Sequence, residues 1–414
     1  MTEHPNKKVL IIAYHYPPLA GAGMLKILRT TRYLNKYNWR PWVLTVKNPE
    51  SYHRAENPIP PEVSVRRAWR IPGGNLLARI LRRLGLDERW LMLPDQHVLW
   101  IPGAFFCGLY LIWRKKLDLI YVTGPPYSAL LVGVFLKKCT KKPLVVEIRD
   151  PWSFNGARQN YPTPLHRKLD LAWERLVLQT ADQITCIYKI TQLGYQQLYP
   201  WTQEKLTVFY DTIDLADLPT QVEAYSKFTL SYLGTFYPPF QSLRATLAAI
   251  QLLVNQQLID REKFCFNYVG PTDFSFERFI KEFGLEAYVK QTGYLPLKEA
   301  QLEVAKSQML LLLLEFPTIN TKLFDYLATG KAILAVVPEC AELNELLEKY
   351  ADQFYQNNDC DPKRIATEIL RGYRDFCEGK IMIPTKVVKF REEMHIEVAT
   401  KALGELFDRI SSAT

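Results

Sequence analysis

The chain has 414 residues, 48% hydrophobic and 23% charged; that globular composition excludes a disordered or fibrous protein and, at ~100–200 residues per domain, predicts two or three domains. Charge is unevenly placed: residues 1–215 carry 30 Lys+Arg against 16 Asp+Glu, net +14, and the remainder 22 against 27, net −5, so the front half is expected to face an anionic surface. The seven cysteines, at 107, 139, 186, 265, 340, 360 and 377, are scattered without a CxxC pair, which argues against a disulfide framework or a zinc site and for a reducing compartment.

The opening "MTEHPNKKVLIIAYHY" reads as a first core strand rather than a secretory signal. It runs into "HYPPLAGAGMLKILR", where Pro17 and Pro18 stop the strand and Gly21, Ala22 and Gly23 form a tight turn before a helix over 24–36. Free amides there meet a phosphate or an acceptor group, or the segment is a plain turn; it is not GxGxxG. His15 is expected to be a packed side chain rather than a base. After the strand "RPWVLTV", residues 75–93, "NLLARILRRLGLDERWLML", place Leu76, Leu77, Ile80, Leu81 and Leu84 on one broad helical face. Arg79, Arg82, Arg83 and Arg89 then reach anionic head groups, unless the helix simply packs on its own domain. "VLWIPGAFFCGLYLIW", 98–113, is shorter than the ~20 residues a membrane span needs and reads as a buried or interfacial helix.

"LDLIYVTGPPYSALLVGVFLKK" is a strand ending at Thr123 and Gly124, a turn through Pro125 and Pro126, and a helix over 127–139. This turn is either an acceptor wall or structural. "PLVVEIRDPW" ends a further strand on Arg149 and Asp150, with Pro151 blocking extension. A charged pair at that strand end orients and deprotonates a hydroxyl, or forms an internal ion pair that fixes the loop. A helix over 164–180 and the strands "QITCIY" and "LTVFYD" complete the front half, with the boundary placed in "YDTIDLADLPTQVEAYSK".

The back half repeats the plan: "FTLSYLG", helix 241–256, "KFCFNYVG", helix 275–284, "VKQTGYL", helix 297–307, "MLLLLLEF", helix 321–329, "AILAVVP" and helix 341–349. Helix 361–378 and an amphipathic final helix follow. Short apolar runs alternating with amphipathic segments indicate an α/β protein with parallel sheets covered on both faces, whose ligands sit beyond the carboxyl ends of the strands. Gly234 with Thr235, Gly270 and Gly293 stand at three of those ends and suit a ligand rim or ordinary turns. In "EFPTINTKLFDYLATG", Asn320 or Thr321 is the expected cap of a helix that carries Lys322 and Asp325 in its first turns. Neither cap makes Asp325 part of a capping box. It either stabilises the helix start or accepts two ribose hydroxyl bonds while Lys322 meets a diphosphate.

In order along the chain, "YPPLAGAGMLKILRTTRYLNKYNWRPWVLTV", "LDLIYVTGPPYSALLVG", "PLVVEIRDPW" and "KLFDYLATGKAIL" resemble the sequence blocks of the family 4 glycosyltransferases, the branch of bacterial exopolysaccharide, lipopolysaccharide and glycolipid synthesis. That resemblance implies a GT-B fold, two Rossmann-like doubly wound domains facing a cleft. It further implies an acceptor-side domain over 1–215, a nucleotide-sugar domain over 216–388 and a helix over 389–414 that crosses back to the first. The implied activity is retaining transfer of a hexosyl-type sugar from a nucleotide sugar to a lipid-linked or polysaccharide acceptor, with no metal and no cofactor. The protein would be cytoplasmic and peripheral on the inner face of the cell membrane, and would bind no nucleic acid. Arg149 and Asp150 would be catalytic; Asp325, Lys322, Thr321, Asn320, Glu315, Gly234 and Thr235 would hold the donor; Gly21, Ala22 and Gly23 would form the acceptor-side loop. Asp325 matches the second acidic residue of the family's paired motif. The position of the first is Pro317 here, with Glu315 the nearest carboxylate, and the family's hinge signal reads "YDTID". A catalytically silent nucleotide- or partner-binding protein of the same fold, and a sugar-nucleotide epimerase, are the alternatives.

Overall fold

The structure is a computed structural model that describes residues 7–19, 23–49, 58–154, 161–271, 273–380 and 384–412, apart from the side chains of Asn75, Ala78, Arg82 and Glu88. The chain divides at Thr212/Ile213 and again at His395/Ile396 into two compact units, the first made of the amino-terminal segment and the last helix.

In the first unit the strands are β1 (Lys7–Ile12), β2 (Trp39–Val46), β3 (Ser64–Ala68), β4 (Leu119–Gly124), β5 (Leu144–Ile148), β6 (Gln183–Cys186) and β7 (Leu206–Val208), in the sheet order β3-β2-β1-β4-β5-β6-β7. Every pairing is parallel. The helices are α1 (Met24–Tyr33), α2 (Gly74–Arg83), α3 (Ile101–Lys115), α4 (Tyr127–Thr140), α5 (Pro164–Thr180), α6 (Lys189–Leu198) and, at the end of the chain, α14 (Ile396–Ser412). Central strands such as β4 are buried at every residue because helices cover both faces of the sheet, which is why their sequences are continuous apolar runs.

The second unit repeats that winding with β8 (Phe228–Leu233), β9 (Phe264–Val269), β10 (Val289–Gln291), β11 (Met309–Leu313), β12 (Ala332–Val336) and β13 (Phe354–Asn357), in the order β10-β9-β8-β11-β12-β13. Its helices are α7 (Gln241–Asn255), α8 (Phe274–Glu282), α9 (Leu297–Ala305), α10 (Thr321–Leu327), α11 (Ala341–Tyr350), α12 (Pro362–Cys377) and α13 (Lys386–Glu393). All strands stay parallel, and in each sheet the strand order reverses once, between β1 and β4 and between β8 and β11. Doubly wound sheets bind ligands beyond the strand ends at such switch points.

The final helix is anchored by burial of its apolar stripe. Leu403, Leu406 and Phe407 pack on Val9, Ile11, Trp39 and Tyr121. Asp408 accepts hydrogen bonds from Trp39 Nε1 at 3.0 Å and Lys7 Nζ at 2.7 Å. The return to the first unit starts at Ile396, not at 389 as the sequence suggests. Residues 389–395 stay with the second unit because Phe390 packs edge-on against Tyr350 and Arg391 donates to the Ala328 carbonyl. No helix among the described residues is long and apolar enough to cross a membrane.

Candidate functional site

At the switch point of the second unit, β8 leads into Gly234, whose φ of 108° is reached at little cost only by glycine. A Cβ there would lie 2.6 Å from Lys322 Cε, so the lysine stem crosses directly over the bare backbone. Lys322 is the second residue of α10, and Tyr326 seats that helix. Its hydroxyl accepts from the Leu233 amide at 2.9 Å and donates to the Leu311 carbonyl at 3.1 Å, tying α10 to β8 and β11 together. The Lys322 ammonium donates to Tyr232 Oη at 2.8 Å, and Tyr232 in turn donates to the Thr235 carbonyl at 2.9 Å. No carboxylate of the described residues lies within 4.0 Å of it. The residue keeps part of its surface, but burial of its ammonium brings the pKa down to about 8. A cation that is desolvated and bonded to one phenol is an incomplete arrangement that an anion completes.

The other expected donor residues are distributed around this lysine. Asn320 sits at the cap position of α10 in extended backbone, yet its side chain makes no capping bond and Oδ1 is buried without a hydrogen-bond partner among the described residues. Thr321 is exposed and Asp325 half-buried, one turn beyond Lys322. A Cβ at Gly270 would come within 2.3 Å of the Gly234 carbonyl oxygen, which places these two strand ends side by side, whereas one at Gly293 would meet nothing. Glu315 is engaged at another helix start. Its carboxylate accepts from the amides of Gln241 and Ser242, each at 3.1 Å, and from Ser242 Oγ at 2.6 Å. It caps the start of α7. Pro317 is exposed beside it.

In the first unit the switch point brings together His15 beyond β1, Pro125 and Pro126 beyond β4, and Arg149 beyond β5, around a pocket of about 210 Å³ that Asp95, Gln96, His97 and Tyr127 also line. Gly23, with φ of 76°, stands against Arg149: a Cβ there would fall 0.7 Å from Nη1. Turn and strand end are therefore one assembly. Gly21 and Ala22 lie outside the described residues. Arg149 Nη2 donates to the Pro125 carbonyl at 2.9 Å and forms no ion pair with Asp150, so the internal pair weighed from the sequence is not made. Asp150 is exposed. The surrounding protein and Asp211 push its carboxyl above the ordinary range and Arg149 pulls the other way, all three screened by the water it touches.

His15 is not an ordinary packed ring. It lines the pocket, its Nδ1 is buried without a hydrogen-bond partner, and its pKa is lowered to about 4 by burial, then by His97 and Arg149, against Asp95. His97 and Asp95 were not anticipated; the "PDQH" stretch, an acidic turn just before an apolar helix, is the signal that carried them. A further hollow of about 400 Å³, lined by Tyr225, Thr229 and Lys290 among others, lies at the amino ends of β8, β9 and β10, the end of a parallel sheet that ligands do not use. No group of three or more metal-ligating side chains occurs among the described residues.

No protein-family model matches the chain, and no curated protein sequence does. Solved structures do. Sucrose-phosphate synthase from Thermosynechococcus elongatus superposes with a TM-score of 0.69 at 12% identity, over 99% of this chain and 100% of that one. HepE from Anabaena, in complex with UDP and glucose, gives 0.67 at 15% identity over 98% and 100%. WaaG, a glycosyltransferase involved in lipopolysaccharide biosynthesis, gives 0.62 at 12% identity over 98% and 99%. The architecture shared with these proteins is GT-B, and the chain has that fold.

Proposed function

We propose that the chain is a retaining glycosyltransferase that takes a sugar from a nucleoside diphosphate donor, UDP-linked in the first instance, and passes it to a lipid-linked or polysaccharide acceptor. The observation that carries this reading is the Lys322 ammonium, desolvated over Gly234 at a switch point with no carboxylate of the described residues within 4.0 Å. A diphosphate supplies the missing charge there, and Asp325 in the following turn accepts the ribose hydroxyls. HepE, of the same fold, is described with UDP and with UDP-glucose, which makes the uridine donors the first to test. In the first unit Asp150 orients or deprotonates the attacking hydroxyl. The test is transfer and hydrolysis over a panel of nucleotide sugars. Asp150→Asn is expected to lower turnover by roughly 10²–10⁴-fold while donor affinity stays near the wild-type value. Unchanged turnover per folded molecule would remove Asp150 from the chemistry.

A second reading has its own observation. Pro317 stands where the resemblance puts the sugar-contacting acidic partner of Asp325, and the nearest carboxylate in sequence, Glu315, caps α7. A protein that binds the nucleotide without transferring anything would behave so. Nucleotide binding with no turnover on any donor of the panel selects it.

The lipid acceptor is supported by the surface of the first unit. Along α2 and at the residue after it, Leu76, Ile80 and then Leu84 are exposed at four-residue spacing beside the exposed Arg79 and Arg83, while Leu77 and Leu81 turn inward. Along α3, Phe106, Tyr110 and Trp113 are exposed on the helix that ends in Arg114, Lys115 and Lys116. Arg89 leaves the set of head-group residues, because it bonds Asp87 at 3.1 Å and covers the Tyr161 ring; the Arg82 side chain lies outside the described residues. Arginine near an anionic leaflet contributes ~1 kcal/mol, and outward aromatic rings favour the interface. Vesicles containing phosphatidylglycerol are expected to bind the protein at low salt and neutral phosphatidylcholine vesicles are not, and Arg79→Gln with Arg83→Gln should weaken binding about 30-fold. If the wild-type protein ignores the anionic vesicles, the basic half serves another partner.

A further inference from the structure

Arg149 holds a position that the donor site does not explain. It is 6% exposed, and of its five N–H donors the side chain uses one, from Nη2 to the Pro125 carbonyl. Nε is buried without a hydrogen-bond partner, and no carboxylate of the described residues lies within 4.0 Å. A guanidinium cannot shed its proton to escape burial; Glu147 is shared with Lys26 and Asp150 is exposed, and both act on Arg149 only from beyond ion-pair distance, so its free N–H donors suit an anion in the pocket. The backbone is shaped to allow it: only because residue 23 is glycine does the guanidinium fit where a Cβ would stand.

The rest of the pocket agrees with that charge. Asp95 is its one carboxylate, and both oxygens are covered, by the Ser128 amide at 2.9 Å, Ser128 Oγ at 2.8 Å and the His97 amide at 2.9 Å; it serves the start of α4. His15 and His97 stand with ring centroids 6.0 Å apart and planes at 86°. His15 is neutral at physiological pH and offers a hydrogen-bonding ring without competing for the anion. The volume of about 210 Å³ corresponds to roughly seven waters at ~30 Å³ each, enough for a phosphoryl group and the atoms that carry it.

We propose that this pocket is a phosphoryl-binding subsite of the first unit, with Arg149 pairing to the oxyanion and the His15 and His97 rings beside it. The subsite follows from the geometry of this unit alone. That its phosphoryl group belongs to the acceptor rests on the glycosyltransferase reading. Two sources share the chemistry, a soluble sugar phosphate and the phosphate of a lipid carrier.

Titration calorimetry with inorganic phosphate, a hexose 6-phosphate, geranyl phosphate and, separately, UDP tests it on the whole chain. Phosphate is expected to bind in the millimolar range, and whichever organic phosphate binds more tightly identifies the source. Arg149→Met should weaken phosphate roughly ten- to hundredfold and leave UDP within about twofold. Gly23→Ala should do the same with Arg149 intact, because the new methyl displaces the guanidinium. Thermal unfolding verifies that each variant is folded; if Gly23→Ala is not, Arg149→Met carries the test. No phosphate binding by the wild-type protein up to roughly 50 mM, or equal affinity in wild type and Arg149→Met, overturns the subsite. Wild-type protein that binds phosphate but not UDP leaves the subsite standing and sinks the donor reading instead.

Discussion

Replacing Lys322 by methionine is expected to weaken UDP binding about ten- to hundredfold, the range that losing a charge-assisted hydrogen bond to an anion implies. Methionine keeps most of the stem that lies over Gly234, so the change removes charge more than packing. A pH signature should accompany it. Burial has brought the free lysine to about 8, and an anion beside the ammonium would raise that value again. Below pH 8 the binding form is already protonated and affinity is flat. Above it, binding must take up a proton, and affinity falls by up to tenfold per pH unit until the bound-state pKa is passed. Calorimetry in buffers of different ionisation enthalpy would read that proton directly. The methionine variant should show neither the slope nor the proton. A wild-type affinity that stays level from about pH 7 to 9.5 would take Lys322 out of the site. Glu315→Gln is the contrasting case, expected to cost roughly 0.5–2 kcal/mol of stability through its cap on α7 and to leave UDP affinity alone.

What the sequence made legible follows the range of the interactions involved. Apolar runs such as "LIYVTG" and "MLLLL" identify buried parallel strands because burial on both faces favours apolar side chains at nearly every position. Helix 164–180 runs in the structure from Pro164 to Thr180, the bounds expected from its sequence, with Thr163 capping it and Pro164 opening it. The strand "SVRRA" carries no such run: it lies at the sheet edge, where charged side chains are tolerated and the apolar signal is lost. The site residues divide in the same way. Lys322 and Asp325 were readable because their setting, strand then turn then helix, is local. The role of Glu315 was not, since its partners Gln241 and Ser242 stand more than 70 positions earlier. Nor does anything local to Gly23 announce that Arg149 occupies the space its side chain would fill.

The largest loss of stability is expected from a pair with the same long-range character. Lys26 on α1 and Glu147 on β5 meet at 2.8 Å with side chains 8% and 1% exposed. Lys26 also donates to the Phe209 carbonyl at 3.0 Å, and Glu147 accepts from Thr123 Oγ1 at 2.7 Å. Burial alone would raise the carboxyl, but Lys26, Arg149 and the threonine together hold it below the ordinary range. Lys26→Met should therefore cost about 3–5 kcal/mol, because it strands a buried carboxylate rather than merely deleting a contact. The sign of the pH dependence separates this from a packing defect. In the wild type the lowered carboxyl contributes fully above the unfolded value near ~4.3 and fades as pH falls through the folded one. In the variant, burial dominates and the carboxyl rises, so acid protonates it and relieves the strain; the deficit against wild type should shrink from pH 7 toward pH 5. Lys26→Met combined with Glu147→Leu should recover part of the loss, since the stranded carboxylate is gone while Arg149 and Thr123 lose its charge and its oxygen. Urea midpoints for the three variants over that range decide it, and a single mutant within about 1 kcal/mol of wild type would mean the carboxylate finds water. The pair also bears on function through geometry. It ties α1, which begins one residue after Gly23, to β5, which ends one residue before Arg149. Loss of the tie should loosen the contact that seats the guanidinium, so the Lys26 variant should weaken phosphate binding in the first unit while UDP binding in the second is left unchanged.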